Sequence, residues 1–179
     1  MPSIPSTPDD PLMSDILALL GENRILALAT IRPDGWPQAT MVGYVHDDLT
    51  LYFAVGRTSQ KLSNILRDPR VSIAVGQDRP DHLRGLSMAA TVSQVTDAHE
   101  ISRLNALLHE RYPEQRVFAP REASAVILKA SPSLISIVNL SKGPGRPQLV
   151  VVDQQTRVRP VEGVASEAAR AYGTPPSQG

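Results

Sequence analysis

Three short apolar segments separated by tight turns constrain the fold of this 179-residue chain more than any other feature. Residues 24–31, 38–45 and 49–55 each have the length of a β-strand. In the third segment every second residue is apolar: Leu49, Leu51, Phe53 and Val55. Residues 32–35, Arg-Pro-Asp-Gly, form a turn sequence, since proline presets φ and glycine accepts the left-handed conformation. With a second turn at His46-Asp47-Asp48, the three segments predict antiparallel strands joined in series.

The remainder of the chain adds more short strands and three helices. Helices are expected from Asp10 to Gly21, over residues 59–67, and after Asp97, which can form a capping box with Glu100. Strands are expected at residues 70–75, 84–95, 134–140 and 148–152, with a polar loop at 77–83, an apolar segment at 125–130 and a break at Ser131-Pro132. Short, evenly spaced strands favour a barrel over a doubly wound parallel sheet. We therefore predict a mainly β (α+β) fold: a six- to seven-stranded antiparallel split β-barrel with short flanking helices.

Composition divides the chain into three parts. Residues 1–9 are rich in proline and serine and predict a flexible N-terminal arm, residues 10–152 form the predicted barrel domain, and residues 153–179 read as a polar C-terminal tail. Within that tail, residues 161–172 have a marginal helical pattern.

Charge and residue content exclude several classes of function. The 18 basic and 18 acidic residues cancel, which argues against a nucleic-acid binder or a polybasic membrane module. The absence of cysteine excludes disulfides and thiolate metal sites. No stretch of the sequence has the length and apolar character of a membrane span, and the N-terminus lacks a basic start, so we expect a cytoplasmic protein.

No common catalytic or nucleotide-binding motif is present. The chain lacks a phosphate-binding glycine–lysine loop, a dinucleotide-binding glycine pattern, a His-Glu-x-x-His pair and a Gly-x-Ser-x-Gly turn. Its four histidines, His46, His82, His99 and His109, do not have metal-ligand spacing, so we predict no metal site. No catalytic residue can be named from these patterns.

Residues 56–61, Gly-Arg-Thr-Ser-Gln-Lys, are the strongest candidate for a binding site. They follow a strand and open a short helical pattern of Leu62, Ile65 and Leu66. Two hydroxyls and two cations thus gather at a helix N-terminus, where unpaired N–H groups and the helix dipole favour phosphate. The simpler interpretation is that Ser59 is an ordinary N-cap with Arg57 and Lys61 solvated beside it.

Taken in order, several segments resemble the pyridoxamine 5′-phosphate oxidase-like family of FMN-binding split barrels. The resemblance is carried by residues 28–31 with 33–37, then 51–53, 58–61, Asn64-Ile65 and 68–72. It continues more weakly at residues 84–90 and 137–152. The chain is thus similar to uncharacterised members of this family over most of residues 24–152.

The resemblance implies a homodimer that binds FMN at the subunit interface and acts on a small-molecule substrate. Lys61 and Ser59 match the family's phosphate-contacting positions, and Thr58 and Arg57 are neighbours that can assist. Strand positions beside the flavin are matched by Ala29, Thr30, Thr40, Met41 and Val42. Taken from the residues alone, Met41 and Val42 are better explained as core packing.

Departures from the family pattern argue against oxidation of pyridoxamine phosphate itself. Thr40 stands where the vitamin B6 oxidases have an arginine, Ala90 replaces a glycine, and the basic C-terminal substrate-binding segment has no clear counterpart. Three functions therefore stay open: an FMN-dependent oxidoreductase, an F420-dependent reductase on the same fold, and a non-catalytic flavin- or haem-binding protein. The loop from Lys142 to Arg146 can reach an anion or simply be solvated.

Overall fold

A computed structural model describes residues 11–79, 82–113, 124–139, 147–153 and 157–161. Those residues form three helices: α1 (Pro11–Glu22), α2 (Gln60–Arg67) and α3 (Ala98–Arg111). They also form nine strands: β1 (Ile25–Ile31), β2 (Pro37–Gly43), β3 (Val45–Asp47), β4 (Thr50–Gly56), β5 (Arg70–Arg79), β6 (His82–Gln94), β7 (Ala125–Asn139), β8 (Gln148–Val152) and β9 (Val158–Pro160). The predicted arm at 1–9, the 142–146 loop and the possible helix at 161–172 lie outside these ranges, apart from Val161.

The strands form one antiparallel sheet that is bent into an open barrel. The order along the sheet is β2-β1-β5-β6-β7-β4-β3, with β8 paired to β7 and β9 paired to β8. The two end strands of this path, β2 and β3, are consecutive in the chain, and only Tyr44 separates them. Because one residue cannot span a flat seven-stranded sheet, the sheet must curl until its ends meet. No ladder joins β2 to β3, so the barrel is split at that point.

The barrel interior is apolar and continuous. Inward-facing residues alternate with outward-facing ones along each strand, as in β1, where Leu26 and Leu28 are buried between more exposed neighbours. Helix α1 adds Ile16, Leu19 and Leu20 to the same core. A second, smaller apolar cluster lies under α3 and includes Leu104, Leu108 and Tyr112.

The fold class predicted from the sequence is confirmed, although the sheet has more strands than expected. His46 and Asp47, predicted to be a turn, belong to β3, and the turn begins at Asp48, whose φ is 49°. Of the predicted loop at 77–83, the residues that the structure describes, 77–79 and 82–83, are strand, because β5 and β6 stay paired out to Arg79 and His82.

The predicted break at Ser131-Pro132 is absent, and β7 runs through it. A shift of register opposite Ala89 and Ala90 accommodates the proline, which has no N–H to donate to the ladder. Past the predicted boundary at residue 152, Val158–Pro160 form β9 on the edge of β8, with Val158 fully buried. The division of the chain into arm, domain and tail stays a prediction.

A polar network fixes the corner at Tyr44. The hydroxyl of Tyr112 lies 2.7 Å from the carbonyl oxygen of Tyr44 and 2.6 Å from that of Arg24, and it accepts from the Tyr44 N–H at 3.1 Å. The Tyr44 hydroxyl donates to the carbonyl of Leu20 at 2.8 Å. Burial raises the pKa of this hydroxyl well above its ordinary value, so it stays protonated and able to donate. The corner thereby joins the ends of α1, β2 and α3.

Replacing Tyr112 with Phe is expected to lower the free energy of unfolding by about 1–3 kcal/mol, because the buried Tyr44 carbonyl loses the hydroxyl, while the Tyr44 N–H and the Arg24 carbonyl keep only their mutual contact at 3.3 Å. Urea unfolding measures the loss. Tyr52→Phe is the matched control: the Tyr52 hydroxyl bonds Glu100 in a partly exposed cluster, so its removal should cost less than about 1 kcal/mol. Equal losses in the two variants would contradict a special role for the corner.

Replacing Val158 with Ala should cost about 2 kcal/mol, since two buried methyl groups are lost from the core. Arg159→Ala, an exposed change on the same strand, should cost under about 0.5 kcal/mol. Thermal or urea unfolding compares them. If both variants unfold like the wild type, β9 does not contribute to the stability of the barrel.

Candidate functional site

The segment after β4 turns into α2 through Ser59. Its backbone N–H donates to the Gly56 carbonyl at 3.0 Å, and its hydroxyl accepts from the N–H of Leu62 at 3.3 Å. Ser59 is therefore the N-cap of α2, as the simpler interpretation of the sequence held. In the part of the chain that the structure describes, the N–H groups of Gln60 and Lys61 find no acceptor. The first turn of α2 thus presents two unpaired donors.

Two cations accompany these donors. Arg57 is exposed and tied to the loop by its backbone N–H, which donates to the Ser124 carbonyl at 2.8 Å. Lys61 is half-buried, because it lies on the same face of α2 as Asn64 and Ile65, three and four residues on. Neither side chain forms an ion pair with any residue that the structure describes. Their positive charge is therefore available to a ligand.

Asn64 attaches α2 to the first two strands. Its side chain is fully buried, and the amide nitrogen donates to the hydroxyl of Thr30 at 2.9 Å and to the side-chain oxygen of Gln38 at 3.0 Å. The amide oxygen accepts from the side chain of Gln60 at 2.9 Å. One buried side chain thus connects the first turn of the helix with β1 and β2.

The order of contacts along α2 gives its direction. Arg67, at the C-terminal end, donates to the carbonyls of Ile31 and Arg32 at 3.1 and 2.7 Å, while Asn64 contacts Thr30 and Gln38. The helix therefore runs in the same sense as β1. From the rise of an α-helix, the first turn of α2, about 6 Å before Asn64 along the axis, is expected beside the next inward-facing pair, Leu28–Thr40.

Thr40 has an unusual environment for a hydroxyl. Its side-chain oxygen is buried and has no hydrogen-bond partner within the described residues. Because Thr40 pairs with Leu28, it lies on the inner face of β2, on the same side as Gln38. An unpaired buried hydroxyl costs free energy unless a ligand satisfies it.

The predicted strand residues divide between two faces of the sheet. Thr30, Thr40 and Val42 face inward, and Val42 is part of the apolar core. Ala29 and Met41 face outward, with Met41 66% exposed. The structure brings Thr30 into contact with α2 through Asn64, and it separates Ala29 and Met41 from that cluster.

The outer face of the sheet is broad, its central row carries no charge, and Arg84 beside the groove and Arg159 on β9 supply charge away from that row. One row of paired residues crosses six strands: Met41, Ala27, Ala74, Ser87, Ser136 and Leu149. A groove of about 640 Å³ lies on this face, and its floor includes the facing pair Gly76 and Gly85. A β-carbon on Gly76 would lie 3.3 Å from the Arg84 carbonyl, so the close approach there favours glycine. Exposed Ile25 and Leu83 also line the groove.

The residues at the start of α2, together with Thr40, suit an anionic group with a polar chain attached. The two N–H donors at the start of α2, Lys61 and Arg57 can neutralise a phosphate, and the hydroxyls of Thr58 and Thr40 can donate to its oxygens or to a neighbouring hydroxyl. At the other end of α2, a side-chain hydrogen bond from Arg70 lowers the pKa of Asp68 to about 2. That carboxylate is paired and leaves the positive charge at the start of the helix unopposed.

A second cavity is separate from this cluster. It has a volume of about 550 Å³, lies between the end of α1, β3 and the end of α3, and contains none of the predicted site residues. Its Arg111 already donates to the carbonyls of Gly21 and Asn23.

Among the described residues, no group of three histidine or acidic side chains is placed to hold a metal ion. No helix in the described ranges is long and apolar enough to cross a membrane.

Sequence reasoning missed the residues that hold α2 in place. Leu66, expected on the buried face of α2, is 70% exposed, and Asn64 is buried instead. Gln38 and Gln60 complete the network around it. Asn64 belonged to the segments that carried the family resemblance, but a polar residue between Leu62 and Ile65 gives no sign of burial by hydrophobicity alone.

Comparisons with known proteins agree with this architecture. A family model described as pyridoxamine 5′-phosphate oxidase matches residues 12–139. A protein assigned as a pyridoxamine 5′-phosphate oxidase from Listeria innocua has 27% identity and a TM-score of 0.59, covering 71% of this chain and 98% of that one. A conserved hypothetical protein from Mycobacterium tuberculosis has 26% identity and a TM-score of 0.64, covering 74% and 88%.

A structure described as an F420 reductase has 30% identity and a TM-score of 0.55, covering 66% of this chain and 94% of that one. Neighbours under 25% identity, among them a haem storage protein from Vibrio cholerae and an FAD-binding protein from Mesorhizobium loti, share the fold alone. Since the family model spans well over half of the sequence, the chain belongs to the pyridoxamine 5′-phosphate oxidase-like family of split barrels.

Proposed function

We propose that this protein is a homodimeric flavoprotein that binds FMN and carries out a redox reaction on a small substrate. The observation that carries the proposal is the unpartnered hydroxyl of Thr40, which lies on the same face of β2 as Gln38, the residue that α2 contacts through Asn64. Buried polar groups in proteins are nearly always satisfied, so this one indicates a ligand. The cytoplasmic location expected from the sequence stays a prediction.

Each residue has a distinct part in holding the cofactor. Lys61 and Arg57 supply charge for the phosphate, and the N–H groups of Gln60 and Lys61 supply donors. Thr58, Ser59 and Thr40 add hydroxyls beside it. A bound flavin supplies the hydride chemistry through its own ring, so the protein's contribution is binding, orientation and exclusion of water. This accounts for a site without an acid–base pair or triad.

The open edge of β2 supports a cofactor that extends from one face of the sheet to the other. Within the described sheet β2 pairs only with β1, so its other edge has unpaired backbone groups that can meet the polar side of a flavin ring. Thr40 and Met41 are adjacent on this strand but point to opposite faces. A ligand anchored near Thr40 can therefore pass the edge and reach Ala29 and Met41.

The outer face supports the homodimer. Four large apolar side chains, Met41, Ile25, Leu83 and Val151, are exposed on this face, and exposed apolar surface of this kind is typical of an interface. A second copy seated there would cover the groove and complete a ring site beside β2.

A second candidate is an F420-dependent reductase. The neighbour described as an F420 reductase, at 30% identity, favours this reading. An anion site built from Lys61, Arg57 and the start of α2 accepts a phosphate of either cofactor. No comparable observation favours haem, because the haem-storage neighbour shows the fold alone and His46, which is half-buried, contacts the carbonyl of Asp48.

Titration with each cofactor separates these functions. FMN is expected to bind, and its fluorescence is expected to be quenched in the complex. The melting temperature of the protein should rise as the FMN concentration exceeds the dissociation constant. F420 titrated in parallel should bind more weakly, and haem should keep the Soret band of free haem, with no shift or sharpening in the presence of the protein. Stronger F420 binding would establish the second candidate, and no binding of either would exclude both. Reduction of the bound flavin by NAD(P)H without oxygen distinguishes an enzyme from a carrier.

Replacing Lys61 with Ala should weaken FMN binding by about 1–3 kcal/mol, because a charge-assisted contact to the phosphate is lost. Arg103→Ala removes one positive charge from α3, outside residues 57–61 and the outer face, and is the matched control, expected to bind FMN like the wild type. Calorimetric titration of both variants provides the comparison. Unchanged affinity in Lys61→Ala would leave residues 57–61 as an ordinary helix cap.

A further inference from the structure

Asn64 is a fully buried amide on the packing face of α2. Its neighbours on the helix, Leu62 and Ile65, are apolar and buried, and a third apolar residue would pack there without any need for partners. The amide instead uses both of its N–H groups, on Thr30 and Gln38, and accepts from Gln60. Every donor of this side chain is satisfied.

A satisfied buried network specifies one arrangement of the elements it joins. Apolar contacts alone allow a short helix to slide or rotate by a fraction of a turn, since the hydrophobic effect has no direction. Asn64 allows only the position in which its amide meets both β1 and β2. The network thus fixes α2 along its axis as well as around it.

The same network reaches the first turn of α2. Gln60 is adjacent to Ser59 and Lys61, and Lys61 is three residues before Asn64 on the same face of the helix. A displacement of α2 therefore moves the Lys61 ammonium group and the unpaired N–H groups relative to Thr40. Anion binding depends on such distances, because charge-assisted hydrogen bonds weaken steeply with misalignment.

We propose that Asn64 is a positioning residue that sets the phosphate-binding start of α2 against β2 through Thr30, Gln38 and Gln60. This role rests on the proposed function. Asn64 itself does not touch the cofactor; it acts through Lys61 and the first-turn N–H groups. A purely structural Asn64 would affect the stability of the whole barrel and leave the recognition of phosphate unchanged.

The experiment compares FMN with riboflavin, which lacks the phosphate. The dissociation constant of riboflavin divided by that of FMN measures the contribution of the phosphate site alone. Asn64→Leu is expected to lower this ratio about tenfold or more, and Gln38→Leu, at a half-buried position, should lower it by a smaller factor. Leu104→Ala in α3 is the matched control: it destabilises the second apolar cluster and should shift both ligands together, leaving the ratio unchanged.

A double variant tests whether Asn64 acts through Lys61. If it does, Asn64→Leu combined with Lys61→Ala lowers the ratio little more than Lys61→Ala does, because coupled residues are not additive. Independent, multiplied effects would overturn the positioning role. So would a wild-type ratio retained in Asn64→Leu and Gln38→Leu. A wild-type protein that does not prefer FMN over riboflavin refutes the phosphate site of the proposed function and this inference with it.

Discussion

The connection of β2 to β3 through the single residue Tyr44 determines the shape of the molecule. These strands are the first and last along the hydrogen-bonded path, so joining them by one residue forces the sheet to curl. The corner is held by the hydroxyl of Tyr112 and the carbonyls it meets, at the end of α3. Because β2 and β3 do not pair, β2 keeps an open edge. The split in the barrel and the candidate binding site are two consequences of the same connection.

Helix α2 depends on a second constraint, which is polar rather than apolar. A buried amide costs free energy unless all of its partners are present, and Asn64 finds them on two strands and on its own first turn. Cationic Lys61 is thereby held half-buried on the packing face instead of free in solvent. Rigidity at the start of this helix is what an anion site needs, since donors already in place lose little entropy when a ligand arrives.

Local patterns predicted the elements well where one residue type decides the structure. Proline and glycine marked the 32–35 turn, Ser59 and Asp97 cap α2 and α3, and alternation identified β4. The predicted strand boundaries were wrong where pairing with a neighbouring strand determines the backbone conformation. Pro132 suggested a break, yet a bulge opposite Ala89 and Ala90 carries β7 through it, and Val158 is strand because β8 offers an edge. Leu66 was expected inside but is exposed, and the burial of Asn64 was not predicted, because hydrophobicity cannot anticipate a complete set of hydrogen-bond partners.

By itself the sequence determined the fold class, the start of α2 and the residue types gathered there, because turn chemistry, capping and periodicity act within a few residues along the chain. Only the tertiary structure decided which face of the sheet each predicted strand residue of the binding site occupies. Thr40 and Val42 face the barrel interior while Ala29 and Met41 lie on the outer face, since side chains alternate along a strand and the curl of the sheet decides which side is inside. It also decided that Asn64, 34 residues from Thr30 along the chain, is its hydrogen-bond partner. That contact exists only when α2 is packed against β1 in the folded protein.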